Sequence, residues 1–282
     1  MSGRIDLHIH STASDGQLSP AKVVHAALEI GLKAIALTDH DTTEGIAEAV
    51  AAAQGTPLEV IPGVEISADI PGSEVHILGY YLEYEQPDLR RKLAVFRDSR
   101  LDRAQRIIAK LTRMGISLDW ERVKQIAGDG VVGRPHIARA LLEKGYVSST
   151  DEAFARYIGR NGPAYADRPK MSPGEAVQTI RAAGGLPVLA HPLYATSLIP
   201  ELTRVGLAGL EVYYTGYDPD EIDLLLDLAW KHGLVATGGS DYHGPDVLPD
   251  NELGGVWVPQ ELLEDLRARH RQGMPGMGRQ ET

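Results

Sequence analysis

The segment Ile5-Asp6-Leu7-His8-Ile9-His10-Ser11-Thr12-Ala13-Ser14-Asp15-Gly16 restricts this chain more than any other. A strand over residues 4–10 alternates its side chains, so His8 and His10 share one side while Ile5, Leu7 and Ile9 take the other. Two neighbouring imidazoles can grip one metal ion. Asp15 follows on a Ser/Asp/Gly turn, where its carboxylate can close over that ion or hold a second. A lone His-x-His also fits plain polar alternation on a half-buried strand, so what matters is whether such residues recur at equivalent places.

The 282 residues include no cysteine, which excludes disulfides and thiolate ligands. Any metal must be held by imidazole and carboxylate, a donor set that suits manganese, zinc, iron or magnesium. A net charge of −11 argues against a general surface for duplex DNA but permits a local basic pocket. The chain has no apolar run long enough to span a bilayer and no signal-peptide pattern at its start, so a cytoplasmic location without a membrane partner is expected.

After the first strand, apolar runs at 34–37, 58–66, 75–81, 186–190, 209–213 and 234–237 alternate with amphipathic helical stretches at 20–31, 44–53, 173–183, 219–232 and 259–272. That rhythm predicts an α/β domain with largely parallel strands. It stops between 85 and 167, where helical patterns at 89–114, 119–126, 135–143 and 150–157 are punctuated by loops at Gly128-Asp129-Gly130 and Gly159-Arg160-Asn161-Gly162-Pro163. Residues 85–167 therefore read as a helical insertion, a cap, between two parts of one α/β domain, 1–84 and 168–282. The tail from Gly273 reads as loose.

The recurrence is present. Five predicted strands carry His, Asp or Glu near their C-terminal end or on the turn after it: His8, His10 and Asp15, then His40, Glu65, His191, and finally Asp241 with His243. His76 lies nearer the start of the fourth strand and fits the pattern less well. Parallel strands end on one rim, so these residues would converge into a multinuclear metal site. Simpler readings stand beside this one. Asp39-His40-Asp41 also fits a helix-capping turn, His191 before Pro192 a packed histidine, and Gly238 to His243 a flexible loop. Glu65 near the end of an apolar strand resists such a reading, because a buried carboxylate is costly unless paired or on a metal. His25, His232 and His270 fall on helices away from the rim and read as surface residues.

His8-x-His10, Ser14-Asp15-Gly16, Thr38-Asp39-His40-Asp41, Pro62-Gly63-Val64-Glu65, Val75-His76-Ile77-Leu78-Gly79, Ala190-His191-Pro192 and Gly239-Ser240-Asp241-Tyr242-His243 together resemble the successive motifs of the PHP (polymerase and histidinol phosphatase) family, from about Ile5 to Trp257. The resemblance implies a distorted seven-stranded (β/α) TIM-like barrel, two or three divalent ions at its C-terminal rim, and hydrolysis of phosphate esters. Carried over residue by residue, it implies one ion on His8, His10, Glu65 and Asp241 and a second on Asp15, His40 and His191. His76 and His243, with Glu65 bridging, match the positions of a third. Manganese is the foremost candidate, with iron, zinc or magnesium as alternatives. Such ions would neutralise the phosphoryl oxygens and acidify a bridging water. Asp15 is then a candidate for orienting the nucleophile, and His243 for contacting the phosphate or protonating the leaving oxygen.

The cap should choose the substrate. Arg97, Arg100, Arg103 and Arg106 recur every three residues, which also fits a solvated helix face paired with Asp98 and Asp102. Arg134 precedes a predicted helix N-terminus, where a guanidinium and backbone N–H groups can hold an anion together. Ser99, Arg100 and Arg103, with Arg134-x-His136, resemble the cap residues that grip a second phosphate in the PHP branch cleaving nucleoside 3′,5′-bisphosphates. The expected substrate is thus a small phosphorylated nucleotide losing its 3′-phosphate, with short single-stranded RNA trimmed from the 5′ end as an extension. A cyclic sugar phosphate and histidinol phosphate are the alternatives within the family. Outside it stand an amidohydrolase, against which the arginines and the missing carboxylated-lysine candidate count, and a non-catalytic metal-stabilised module.

Overall fold

The computed structural model describes residues 4–71, 73–128, 132–167, 169 and 171–273. Asp129 and Gly130 of one expected loop, and the expected loose tail beyond Gly273, lie outside the described residues. Seven strands form one sheet in sequence order: β1 (Ile5–Ile9), β2 (Ala34–Leu37), β3 (Glu59–Ile70), β4 (Ser73–Tyr80), β5 (Leu186–Leu189), β6 (Gly209–Tyr214) and β7 (Val235–Gly239). The sheet curls into a nearly closed barrel. Ile9 bridges Tyr242 just past β7, and His10 N donates to Tyr242 O at 2.9 Å.

The barrel is filled by apolar side chains that alternate along each strand, among them Ile5, Leu7, Ala36, Ile61, Leu78 and Val188. On the outside, α1 (Pro20–Glu29) and α2 (Ile46–Ala53) cover β1 and β2, while α7 (Pro173–Ala182), α8 (Ile199–Arg204) and α9 (Pro219–His232) cover the far side. Helix starts follow their capping residues. Ser172 with Glu175, and Asp218 with Glu221, form reciprocal boxes before a proline in the first turn. The last helix, α10 (Glu261–Arg271), packs Leu263 and Leu266 against the barrel's filling.

Two departures from expectation matter for the site. Strand β4 runs antiparallel to both neighbours, because β3 and β4 are joined by a tight hairpin at Ile70 and Ser73, which only antiparallel strands allow. The start of β4 therefore lies on the rim where the parallel strands end, and His76 belongs there. In β1, three residues from Asp6 to Ile9 span two of β2, a bulge that separates Ile9 from Ile5 and Leu7. Ile9 joins the outer cluster with Val23 and Ile35, while Ile5 and Leu7 fill the barrel. Smaller differences are that β3 runs past Ile66 to Ile70, α2 starts at Ile46 rather than residue 44, and α8 was not expected.

Between β4 and β5, α3 (Pro87–Arg113), α4 (Trp120–Ala127), α5 (Arg134–Glu143) and α6 (Thr150–Ala153) enclose an apolar cluster of their own, including Ile107, Leu111, Val123, Ile137 and Leu141. Helix α3 belongs to both bodies. Leu89, Leu93 and Phe96 pack on the barrel, and Ala104 onwards packs with the other helices. Arg100 and Arg103 are carried at that junction. Among the described residues no helix is long and apolar enough to cross a membrane.

The seam between β1 and β7 depends on a buried carboxylate. Asp6 accepts from Ser240 N at 2.9 Å, Ser240 Oγ at 2.6 Å and Gly254 N at 2.8 Å. Gly239 permits the approach, since a Cβ there would meet His8 N at 2.4 Å. Replacing Asp6 by Ala strands these donors, and the expected loss is about 3 kcal/mol of unfolding free energy in urea titrations. A loss below about 1 kcal/mol would show that the seam does not need it.

Candidate active site

At the rim, β1 supplies His8, the residue just after it His10 and the following turn Asp15, the residues after β2 and β5 His40 and His191, β3 Glu65, β4 His76, and the segment after β7 Asp241 and His243. The other eight gather around Glu65. Its Oε2 lies 3.4 Å from His8 Nε2, 3.2 Å from His10 Nε2 and 2.9 Å from His40 Nδ1, and its Oε1 lies 2.8 Å from His76 Nδ1 and 3.3 Å from His191 Nε2. Asp241 Oδ1 is 3.3 Å from His8 Nε2 and 3.1 Å from His10 Nε2. Asp15 Oδ1 is 3.4 Å from His243 Nε2.

Among the described residues three overlapping groups could each hold an ion: His8, His10, Glu65 and Asp241; His10, Asp15, His40 and His243; and His40, Glu65 and His76. The first matches the expected ligand set. The other two divide differently from expectation: Asp15 lies with His243, because the turn after β1 and the segment after β7 meet across the seam. His191 instead faces Glu65 beside His76, their rings 5.1 Å apart, because β4 and β5 are neighbours.

The donor atoms fit divalent cations. His8 Nε2, His10 Nε2, Asp15 Oδ1, His40 Nδ1 and Glu65 Oε2 are buried without a hydrogen-bond partner, an arrangement that is costly unless a cation satisfies them together. The rings are also oriented from behind. His8 Nδ1 donates to Glu211 Oε1 at 2.8 Å and His243 Nδ1 to the Asp241 carbonyl at 2.9 Å, which turns each Nε2 inward. Tyr214 donates its hydroxyl to Asp241 Oδ2 at 2.9 Å, and Glu211 Oε2 accepts the His191 backbone N–H at 2.7 Å. His191 and Asp241 adopt positive φ, 29° and 55°, a conformation that non-glycine residues keep only where their surroundings impose it.

Charge follows from this crowding. Burial disfavours protonated His10, but Asp241 and Glu65 hold its pKa up at about 9. Burial likewise opposes His76, yet Glu65 and Glu74 carry it up to about 10. For His40 burial wins and the pKa falls to about 4. Asp15, despite burial, is held well below the usual carboxylate range by His40, His243 and Arg100.

Beside this cluster a pocket of about 240 Å³ runs from Asp15, His40 and His76 to the guanidinium groups of Arg100, Arg103 and Arg134. Arg100 is fixed by Asp41 Oδ2, at 3.1 Å from Nε and 2.8 Å from Nη2, and by Ser67 Oγ at 3.0 Å. Arg103 donates to the Ala166 carbonyl at 2.9 Å and lies over Tyr165. Arg134, the first residue of α5, reaches Glu74 at 3.2 Å and lies over Phe154. Ser99 and His136 do not line the pocket. Ser99 Oγ donates to the Phe96 carbonyl, whereas His136 accepts from Gly133 N at 3.0 Å and so presents Nε2–H to the Asp15 carbonyl at 3.3 Å. Arg97 and Arg106 point away, to Glu44 and Asp102.

Glu211, Asp41, Glu74, Ser67 and Tyr214 did not stand out in the sequence. Glu211 had a usable signal, an acid inside an apolar strand as at Glu65. Asp41, at φ 53°, was legible only as a neighbour of His40. His25 and His270 are exposed and His232 is half-buried, away from the site.

A PHP domain model matches residues 6–149. A 5′-3′ exoribonuclease of Haemophilus influenzae is 38% identical over 252 residues, covering 87% of this chain and 92% of the relative. A 3′,5′-nucleoside bisphosphate phosphatase of Chromobacterium violaceum is 34% identical over 278 residues, covering 94% and 97%. Among solved structures, a protein of Bifidobacterium adolescentis described as a metal-dependent phosphoesterase superposes with a TM-score of 0.84 at 31% identity, covering 95% of this chain and 97% of the other. One described as an amidohydrolase of Chromobacterium violaceum, with bound sulfate and no metal, gives 0.85 at 32% identity over 95% and 97%.

His10 and His76 are protonated below about 9 and 10, and an imidazolium has no lone pair for a metal. Ion uptake near neutral pH must therefore expel protons, and affinity must rise as pH climbs towards 9. Manganese titrated calorimetrically in two buffers of different ionisation heat should reveal release of at least one proton. Identical heats in both buffers would contradict the charge assignment.

Proposed function

The chain belongs to the PHP domain family as a metal-dependent hydrolase of phosphate esters, and from that premise we propose that it removes the 3′-phosphate from a nucleoside 3′,5′-bisphosphate, leaving the 5′-monophosphate. The observation that carries this reading is the continuity of the arginine pocket with the carboxylate–imidazole cluster. A substrate with two phosphates can present one to the cations that Glu65, Asp241 and their histidines would hold and the other to Arg100 and Arg134. The helical segment, residues 85–167, would act as the cap that selects it, with residues 1–84 and 168–282 forming the catalytic barrel.

Two or three divalent ions, manganese foremost, would be held by the three groups around Glu65 and supply charge neutralisation on the phosphoryl oxygens together with acidification of water. The chain's own residues do the rest. Arg100 is preorganised, its fork anchored by Asp41 and Ser67 and Nη1 3.8 Å from Asp15 Oδ2, so it meets an arriving anion without reorganising. Arg134 is paired with Glu74, and a phosphate dianion, bearing more charge than a carboxylate, would take Glu74's place. Asp15, with its depressed pKa, is a poor base and suits the orienting of the nucleophile rather than its deprotonation. His136 holds the Asp15 carbonyl from the cap side and makes that orientation depend on α5. His243, its Nδ1 committed to the Asp241 carbonyl, turns Nε2 towards Asp15, where it would hold an ion or, with that ion position empty, carry the proton that the leaving O3′ takes.

An amide substrate would bring no phosphate to the three arginines that line the pocket, and the relative described as an amidohydrolase itself carries sulfate. Phosphate release from a panel of nucleoside bisphosphates, cyclic sugar phosphates and histidinol phosphate by manganese-loaded protein tests the substrate class. Arg134→Ala tests the distal phosphate. It should raise KM for a 3′,5′-bisphosphate by roughly tenfold or more, the loss of one charge-assisted contact, while changing p-nitrophenyl phosphate less than about twofold. Equal losses on both substrates would refute the assignment.

A further inference from the structure

A second cleft, about 550 Å³ in volume, opens on the β6–β7 side of the rim, away from the arginines. Its walls include Tyr213, Tyr214, Tyr217 and Trp257, with Asp250 and Glu252 at the edge, and among the described residues that line it there is no Lys, Arg or His. Tyr214 connects it to the reaction centre, since the same side chain that bounds the cleft donates to Asp241 Oδ2 at 2.9 Å and lies 5.4 Å from the His191 ring. The aromatic groups are held in fixed relation. Tyr217 sits 5.2 Å from Tyr214 and accepts the Leu193 N–H, and Tyr213 meets Trp257 edge-on at 6.2 Å. Trp257 is nevertheless 67% exposed, a large apolar face left to solvent beside a functional site.

We propose that this cleft is the subsite for the nucleobase of a second nucleotide, the one joined through the 3′-phosphate, so that a 5′-phosphorylated oligoribonucleotide is bound across the rim. This rests on the bisphosphate reading above and on the 5′-3′ exoribonuclease activity for which relatives of this chain are named; what it adds is the seat of the second base. Charge selects the occupant. Carboxylates without a balancing cation repel a phosphate but accept N–H groups from a base edge, and aromatic rings stack on any base. Phosphate and base are thereby sorted to opposite sides of the reaction centre, the first nucleotide's 5′-phosphate among the arginines and the second nucleotide's base among the tyrosines. The bond change is unaltered. Water adds OH to phosphorus, the P–O3′ bond breaks, and O3′ departs with the other proton. The products are a nucleoside 5′-monophosphate and a chain one nucleotide shorter that again carries a 5′-phosphate.

The test compares the 5′-phosphorylated dinucleotide pApA, pApA lacking the second base, and the mononucleotide pAp, on the unaltered manganese-loaded protein and on Trp257→Ala. Stacking predicts that losing the second base raises KM about tenfold on the unaltered protein, that Trp257→Ala raises KM for pApA about tenfold but leaves pAp unchanged, and that the two losses are not additive. Equal KM values for pApA with and without the second base overturn the proposal without any variant. So does cleavage of pAp but not pApA, or a Trp257→Ala effect that is the same on pAp and pApA. Arg134→Ala, run in parallel, reports on the bisphosphate reading separately, because it should affect pAp and pApA alike.

Discussion

One buried carboxylate organises the rim. Glu65 is 1% exposed and has five imidazoles within 3.4 Å, contributed by β1 and the residue after it, by β4, and by the segments after β2 and β5. A carboxylate in that position is tolerable only if positive charge surrounds it. With no ion in place, protons on His10 and His76 supply that charge, and a divalent cation would supply it in their stead. The site is thus preformed by the fold and held under electrostatic demand for cations. Loops alone could not meet that demand, because the donor atoms must stay within bonding reach without water to relax them, and strand ends of a closed barrel provide this rigidity.

Around the centre the protein divides its labour by charge. The barrel contributes mainly acceptors, while the helical segment contributes Arg100, Arg103 and Arg134, each anchored before any substrate arrives. Asp41 spends its carboxylate on Ser67 and Arg100 and so ties β3 to α3. His136 does the corresponding work between α5 and Asp15. Cap and barrel are therefore joined through the residues that flank the reaction, and a shift of the cap would be felt at Asp15 and Arg100 together.

Much of this was legible in the chain, for a physical reason. Period-two alternation placed His8 and His10 on one face, and repeated His or acid at the ends of apolar runs placed His40, Glu65, His191 and Asp241 on one rim. His76 looked out of place because alternation says nothing of strand direction. Only the hairpin at Ile70 and Ser73 makes its position near the start of β4 equivalent to the ends of the others. The grouping of His191 and His243 could not be read either, since it depends on which strands are neighbours across the seam. Asp6, Asp41 and Glu211 went unnoticed because their partners are backbone N–H groups, or residues as distant as Ser240 from Asp6, and a sequence records neither. Ser99 and His136 fit a substrate-binding motif, and their polar atoms are engaged with Phe96 and with Asp15 and Gly133, partners that the motif does not announce.

The central claim is that these scattered side chains form one cation-binding centre, and anomalous diffraction from manganese-loaded crystals tests it most directly. The account predicts anomalous peaks inside the His8/His10/Glu65/Asp241 group and beside Asp15 and His243, within coordination distance of the donor atoms that lack partners. Manganese-soaked crystals with no peak at the rim, or with peaks only at exposed carboxylates elsewhere, would contradict it.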